Sequence, residues 1–174
     1  MKRVGMWMVV AALAVPVGLL AQETGKAPAK APAKTTAEAK GGARTVEITA
    51  TDTGGKYAYS VTTINAKPGE QLHVVLKAVG NMPAMASSHN FVVFKPGTKQ
   101  ADIDAFIQEA PMAGATGYIP ADKKNLVLAS TPMTADGSQH DVTFAAPTTP
   151  GTYTYLCSFP GHYAAGMKGT LVVK

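Results

Sequence analysis

Near its C-terminus the chain reads Cys157-Ser-Phe-Pro-Gly-His162-Tyr-Ala-Ala-Gly-Met167, which sets a thiol, an imidazole and a thioether at intervals of five in one short segment. A second imidazole, His89, stands at the start of the apolar run Asn90 to Phe94. Thiolate and thioether are soft donors that suit Cu(I), and imidazole suits both oxidation states of copper. Two imidazoles, one thiolate and a weak thioether therefore make the ligand set of a mononuclear blue-copper centre, trigonal with a long axial bond. A rigid site of this kind fits both oxidation states, so an electron can come and go with little rearrangement. In that chemistry Cys157 is the strong equatorial ligand, His89 and His162 complete the triangle, and Met167 is the axial ligand that tunes the potential.

Each of these residues also has a plainer use. A lone cysteine is most often inert core. Cys157, however, is the single cysteine of the chain, so no intramolecular disulfide can form, and an unpaired thiol in an exported protein is exposed to oxidation. His73, mid-strand on the polar phase, and His140, beside Asp141 near a turn, read as structural. Met82, Met85 and His89, at intervals of three and four, offer a rival soft Cu(I) site of the kind a copper chaperone or storage protein needs. A thiolate held with two imidazoles retains copper too well for that role. Enzymes fare worse: a second, catalytic copper needs several histidines and only His73 and His140 remain, while a dinuclear centre bridged by two cysteines is excluded. A Cys/His hydrolase needs a third orienting group, and structural zinc prefers more cysteine and rarely takes methionine. The expectation is one copper ion and no catalytic residues.

To bring His89 beside a loop far downstream, the chain needs strands. Val46, Ile48 and Ala50 alternate with Glu47 and Thr49; Leu72, Val74 and Leu76 alternate with His73, Val75 and Lys77; Val142 and Phe144 alternate with Asp141 and Thr143. Tyr153 to Leu156 and Thr170 to Val173 are rich in strand formers. Turn residues fall between, as at Lys67-Pro68-Gly69, Lys95-Pro96-Gly97 and Thr149-Pro150-Gly151. Such breaks predict an antiparallel β-sandwich or barrel of around eight strands. One helix interrupts it over Gln100 to Glu109, where Ile103, Phe106 and Ile107 share a face.

The N-terminal part reads differently. Residues 1–21 carry Lys2 and Arg3, then an apolar stretch ending at Ala21, the pattern of a secretory signal peptide or an uncleaved membrane anchor. Residues 22–43 repeat Lys-Ala-Pro-Ala without large apolar side chains and read as a disordered tether, with a reach of up to about 60 Å at about 3 Å per residue. The folded domain is expected over 44–174. The formal net charge of +5 sits mostly in the leader and tether, because residues 44–174 hold ten bases against nine acids. That leaves little case for nucleic-acid binding, which needs basic residues gathered on a folded face.

The segment Ser88-His89-Asn90-Phe91, the strand Asp141-Val142-Thr143-Phe144, and Cys157-Ser-Phe-Pro-Gly-His162 with Met167-Lys168-Gly169-Thr170-Leu171 together resemble the cupredoxins of the azurin, plastocyanin and auracyanin type. The resemblance covers most of residues 44–174 and implies a Greek-key β-sandwich, with a short helical insertion, that transfers electrons outside the cytoplasm between a donor and an acceptor protein. It also implies the Ser88 carbonyl as a weak fifth ligand, and Asn90 tying the two ligand segments together through Ser158. An apolar patch of Met82, Pro83, Met85, Phe159, Pro160, Tyr163 and Ala164 around His162 would be where a redox partner docks. Two departures from azurin stand out: the interval from His162 to Met167 is one residue longer, as in auracyanin, and the usual disulfide cannot form.

Overall fold

A computed structural model describes residues 42–174. The expected leader, and all but the last two residues of the expected tether, lie outside the described residues. In chain order the strands are β1 (Arg44–Thr51), β2 (Ala58–Tyr59), β3 (Thr63–Ala66), β4 (Gln71–Val79), β5 (Ser88–His89), β6 (Val92–Phe94), β7 (Val127–Ser130), β8 (Thr134–Ala135), β9 (Gln139–Ala145), β10 (Gly151–Leu156) and β11 (Lys168–Val173). They build a four-stranded sheet in the order β2-β1-β4-β9, a five-stranded sheet in the order β3-β11-β10-β6-β7, and the small ribbon β5-β8.

Alternation decides which side chains meet between the sheets, because successive residues of a strand point to opposite faces. Ile48 and Ala50 of β1 and Leu72, Val74 and Leu76 of β4 face Phe91, Val93, Tyr155, Leu171 and Val173 in one buried cluster. The sandwich expected from the sequence is present, but its pairing is mixed. β1 runs parallel to β4 from Arg44↔Leu72 to Thr51↔Val79, and β3 runs parallel to β11. Local alternation fixes the buried face of a strand but carries nothing about the direction of its neighbour, so the purely antiparallel expectation is corrected here.

The run Asn90 to Phe94 does not alternate, and its surroundings explain why. Val92 and Phe94, with Leu156 of β10, pack outward against Ile103 and Phe106 of helix α1 (Gln100–Glu109). Phe94 meets Phe106 edge to face at 5.2 Å between ring centroids, the arrangement aromatic quadrupoles favour. β6 is therefore covered on both faces and has no polar phase. The helix begins where the Lys99 N–H donates to the Asp102 carboxylate at 2.9 Å, which satisfies one of the donors that helix starts leave open. Lys123 bonds Glu109 at the other end, at 2.9 Å.

Turn chemistry sets the register of the framework. At Lys67-Pro68-Gly69-Glu70 the Glu70 N–H donates to the Lys67 carbonyl at 3.0 Å, and Gly69 adopts φ +73°. Proline at the second position and a residue with positive φ at the third are what a type II turn needs. This turn delivers the chain into β4, whose far end leads to His89.

Candidate metal centre

Three of the four expected ligands come from the connection between β10 and β11. Its stem is the antiparallel pair Leu156↔Lys168, and it folds back as a series of turns. The His162 N–H donates to the Phe159 carbonyl at 3.1 Å, and the Gly166 N–H to the Tyr163 carbonyl at 3.0 Å. Gly161 and Gly166 take φ of +84° and +102°, conformations in which a side chain would be strained. The Cys157 N–H donates to the Met167 carbonyl at 3.1 Å and the Met167 N–H to the His162 carbonyl at 3.0 Å, so the backbone brackets the two sulfur residues together.

His89 arrives from β5, which pairs antiparallel with β8 through Ser88↔Ala135 and His89↔Thr134. One ligand atom from each of His89, Cys157 and His162 lies within 4.8 Å of the other two. The Cys157 Sγ stands 3.4 Å from His162 Nδ1, and the two imidazole centroids are 4.9 Å apart. All three side chains are buried, as is Met167, which belongs to the same cluster as Cys157.

Burial governs the protonation of this group. It pushes the Cys157 thiol up to about 11, against the pull of the backbone N–H groups of Asn90 and Phe159 and of the Tyr59 hydroxyl. It holds His162 down to about 4, with His89 adding to the effect and Asp52 opposing it. His89 is lowered as well, by burial first. Taking a charged group out of water disfavours its charged form, so near neutral pH the two imidazoles are uncharged with free lone pairs, and the sulfur keeps its proton until a metal displaces it.

Around the donors, Asn90 spans the two segments: its Nδ2 donates to Ser158 Oγ at 2.8 Å, and the Ser158 N–H donates to Asn90 Oδ1 at 2.9 Å. Ser88 is buried just before His89, with its hydroxyl donating to the Ala84 carbonyl at 2.8 Å. Of the expected docking residues, Met82, Pro83, Met85, Pro160 and Ala164 are exposed. Phe159 and Tyr163 are half-buried, and the Tyr163 hydroxyl accepts from Gln100 Nε2 of α1 at 3.0 Å. His73 bonds Asp141 at 3.1 Å and His140 lies 3.2 Å from Thr134 Oγ1, and neither belongs to the His89–Cys157–His162 group.

Two tyrosines with no sequence signal also reach the centre. Tyr57 stacks on His162 at 4.3 Å between centroids with planes 27° apart, and Phe159 flanks the same ring at 4.7 Å. His162 itself is only 2% exposed. The Tyr59 hydroxyl donates to the Asn90 carbonyl. Tyr57 lies just before β2 and Tyr59 within it, far in sequence from either ligand segment, and no spacing rule links them.

Residues 45–174 match the family described as copper binding proteins, plastocyanin/azurin family. The chain belongs to this family. Auracyanin-B of Chloroflexus aurantiacus is 36% identical over 132 residues, 75% of this chain and 52% of that protein, so the chain spans about half of that relative. An azurin of Achromobacter denitrificans is 42% identical over 108 residues, 60% of this chain and 68% of that protein. Among solved structures, dithionite-reduced auracyanin from Roseiflexus castenholzii superposes with a TM-score of 0.64 at 32% identity, covering 76% of this chain and 99% of that one. Copper is the group this plastocyanin/azurin-type protein takes, and the donor chemistry fits it: a buried thiol and two uncharged imidazoles within 4.8 Å of one another, with the buried Met167 thioether in the same core cluster as the thiol.

Proposed function

We propose that residues 44–174 carry single electrons between larger redox proteins outside the cytoplasm, with one copper ion that His89, Cys157 and His162 would hold as strong donors and Met167 as a weaker one. The observation that carries this reading is the approach of His89 to Cys157 and His162 within 4.8 Å, from a strand far upstream of their loop. Bound copper supplies the one-electron couple. The chain's own residues supply the rest. The N–H groups of Asn90 and Phe159 point at the sulfur and temper its charge, and the Asn90–Ser158 pair fixes the distance between the two ligand segments. The Ser88 carbonyl is assigned as a weak fifth donor. Burial of all four side chains keeps water out, so the same geometry serves both oxidation states.

The exposed Met82, Pro83, Met85, Pro160 and Ala164, with the edges of Phe159 and Tyr163, form the face for brief docking of electron donor and acceptor. No catalytic role is assigned. The copper-releasing alternative would need Met82 and Met85, 43% and 97% exposed, to share a metal with His89, which is fully buried. The sequence of residues 1–21 supports export, with or without retention as an anchor. Among the described residues no helix is long and apolar enough to cross a membrane.

A visible spectrum of the Cu(II)-loaded protein tests the reading. An intense blue or green thiolate-to-copper band, abolished in Cys157→Ser, is expected. A pale spectrum typical of nitrogen and oxygen ligation overturns it.

A further inference from the structure

An imidazole has two ring nitrogens that point apart, and the copper centre needs only one of His89's. A second set of polar atoms meets the same ring. Ligand atoms of Asp52, His89 and Asp136 lie within 4.8 Å of one another. Asp52 is 5% exposed. Among the described residues neither of its carboxylate oxygens has a hydrogen-bond partner, and the same holds for Asp136 Oδ1 and for both nitrogens of His89. The remaining oxygen, Asp136 Oδ2, accepts the Met82 N–H at 2.9 Å. Gly80 makes room for the pair: a Cβ there would stand 1.9 Å from Asp52 Oδ1 and 2.5 Å from Asp136 Oδ2. Two buried side chains and the half-buried Asp136 thus converge with bonding capacity to spare, and buried polar atoms of that kind are costly unless they find partners.

On the copper reading above, we propose that Asp52 is a positioning residue for the metal, accepting, with Asp136 beside it, the N–H of the His89 nitrogen that faces away from Cys157. A separation within 4.8 Å is close enough for the contact to be made through one bridging water. Ligating histidines generally donate their outer N–H, which fixes the tautomer and makes the ring a better donor to the metal. A carboxylate does this more strongly than a neutral carbonyl, because it adds negative charge in a poorly screened interior. The field already acts on the ring: Asp52 and Asp136 both oppose the lowering that burial imposes on His89. Added negative charge stabilises Cu(II) more than Cu(I), so the pair lowers the reduction potential.

The test uses the full chain loaded with copper, and Asp52→Asn, which keeps size and removes charge. Redox titration should show the Cu(II)-to-Cu(I) affinity ratio falling about tenfold, a rise of about 59 mV for a one-electron couple. Asp136→Asn should move it the same way. Asp122→Asn, the same charge removal at an exposed site, should leave it unchanged. Nitrogen-15 NMR of the Cu(I)-loaded protein should show a protected His89 N–H whose exchange speeds up in Asp52→Asn, and the wild-type signal decides the matter should that variant not fold. Unchanged potentials in both variants with the visible band intact, an equal shift in Asp122→Asn, or no protected N–H would overturn the inference. So would a second zinc ion bound beside copper and lost in Asp52→Asn, which makes the cluster a metal site. A wild-type protein without the thiolate band would instead overturn the copper reading itself.

Discussion

At the scale of single residues, the centre's behaviour follows from how burial sets its protons. The Cys157 thiol, pushed up to about 11, keeps its proton at neutral pH, whereas His162, held down to about 4, has already lost its own. Loading Cu(II) at pH 7 should therefore release about one proton per ion, measurable in weakly buffered solution; release of none would mean the sulfur is not a ligand. Met167→Leu should preserve copper binding while raising the potential by a tenfold or greater change in the affinity ratio, about 59 mV per tenfold. Because the swap roughly conserves volume, the metal-free protein should lose less than about 1.5 kcal/mol. An unchanged potential would show that the thioether is not axial. These four candidate ligands were legible because three sit in one loop at ligand spacing and the fourth opens an apolar strand. Tyr57, Tyr59 and Asp52 were not, since each reaches the centre only through tertiary folding and has an ordinary neighbourhood in sequence.

Among the elements, the pairing of β10 with β11 includes one close approach, at Tyr155↔Gly169. A Cβ on Gly169 would stand 2.3 Å from the ring and hydroxyl of Tyr155 and 2.7 Å from the Thr62 carbonyl. Tyr155 is fully buried and its hydroxyl donates to the Val61 carbonyl at 2.5 Å, so it cannot swing away freely. Gly169→Ala should cost about 1–3 kcal/mol in denaturant unfolding, as overpacked cores do. A neutral result would mean that β3 and β11 separate easily. The helix was readable because Ile103, Phe106 and Ile107 recur on one face. The parallel pairing of β1 with β4 was not, because strand direction depends on which distant segments lie side by side, and each strand's own pattern is blind to that.

For the whole molecule, charge distribution is the informative quantity. The domain's ten bases and nine acids leave it nearly neutral, and the face assigned to partners is made of methionine, proline, alanine and aromatic side chains. Electron exchange between two copies of residues 42–174 should therefore change by less than about threefold between 0.01 and 0.15 M salt, since screening acts chiefly on charged encounters. A steep fall with salt would point to a charged docking face instead. The stem pair Leu156↔Lys168 has a consequence of its own. Three of the four donors hang from a single hairpin connection whose legs are already zipped, so the peptide carrying them is an interchangeable insert: exchanging that one segment would respecify the metal, with only the imidazole of residue 89 left behind to constrain the choice.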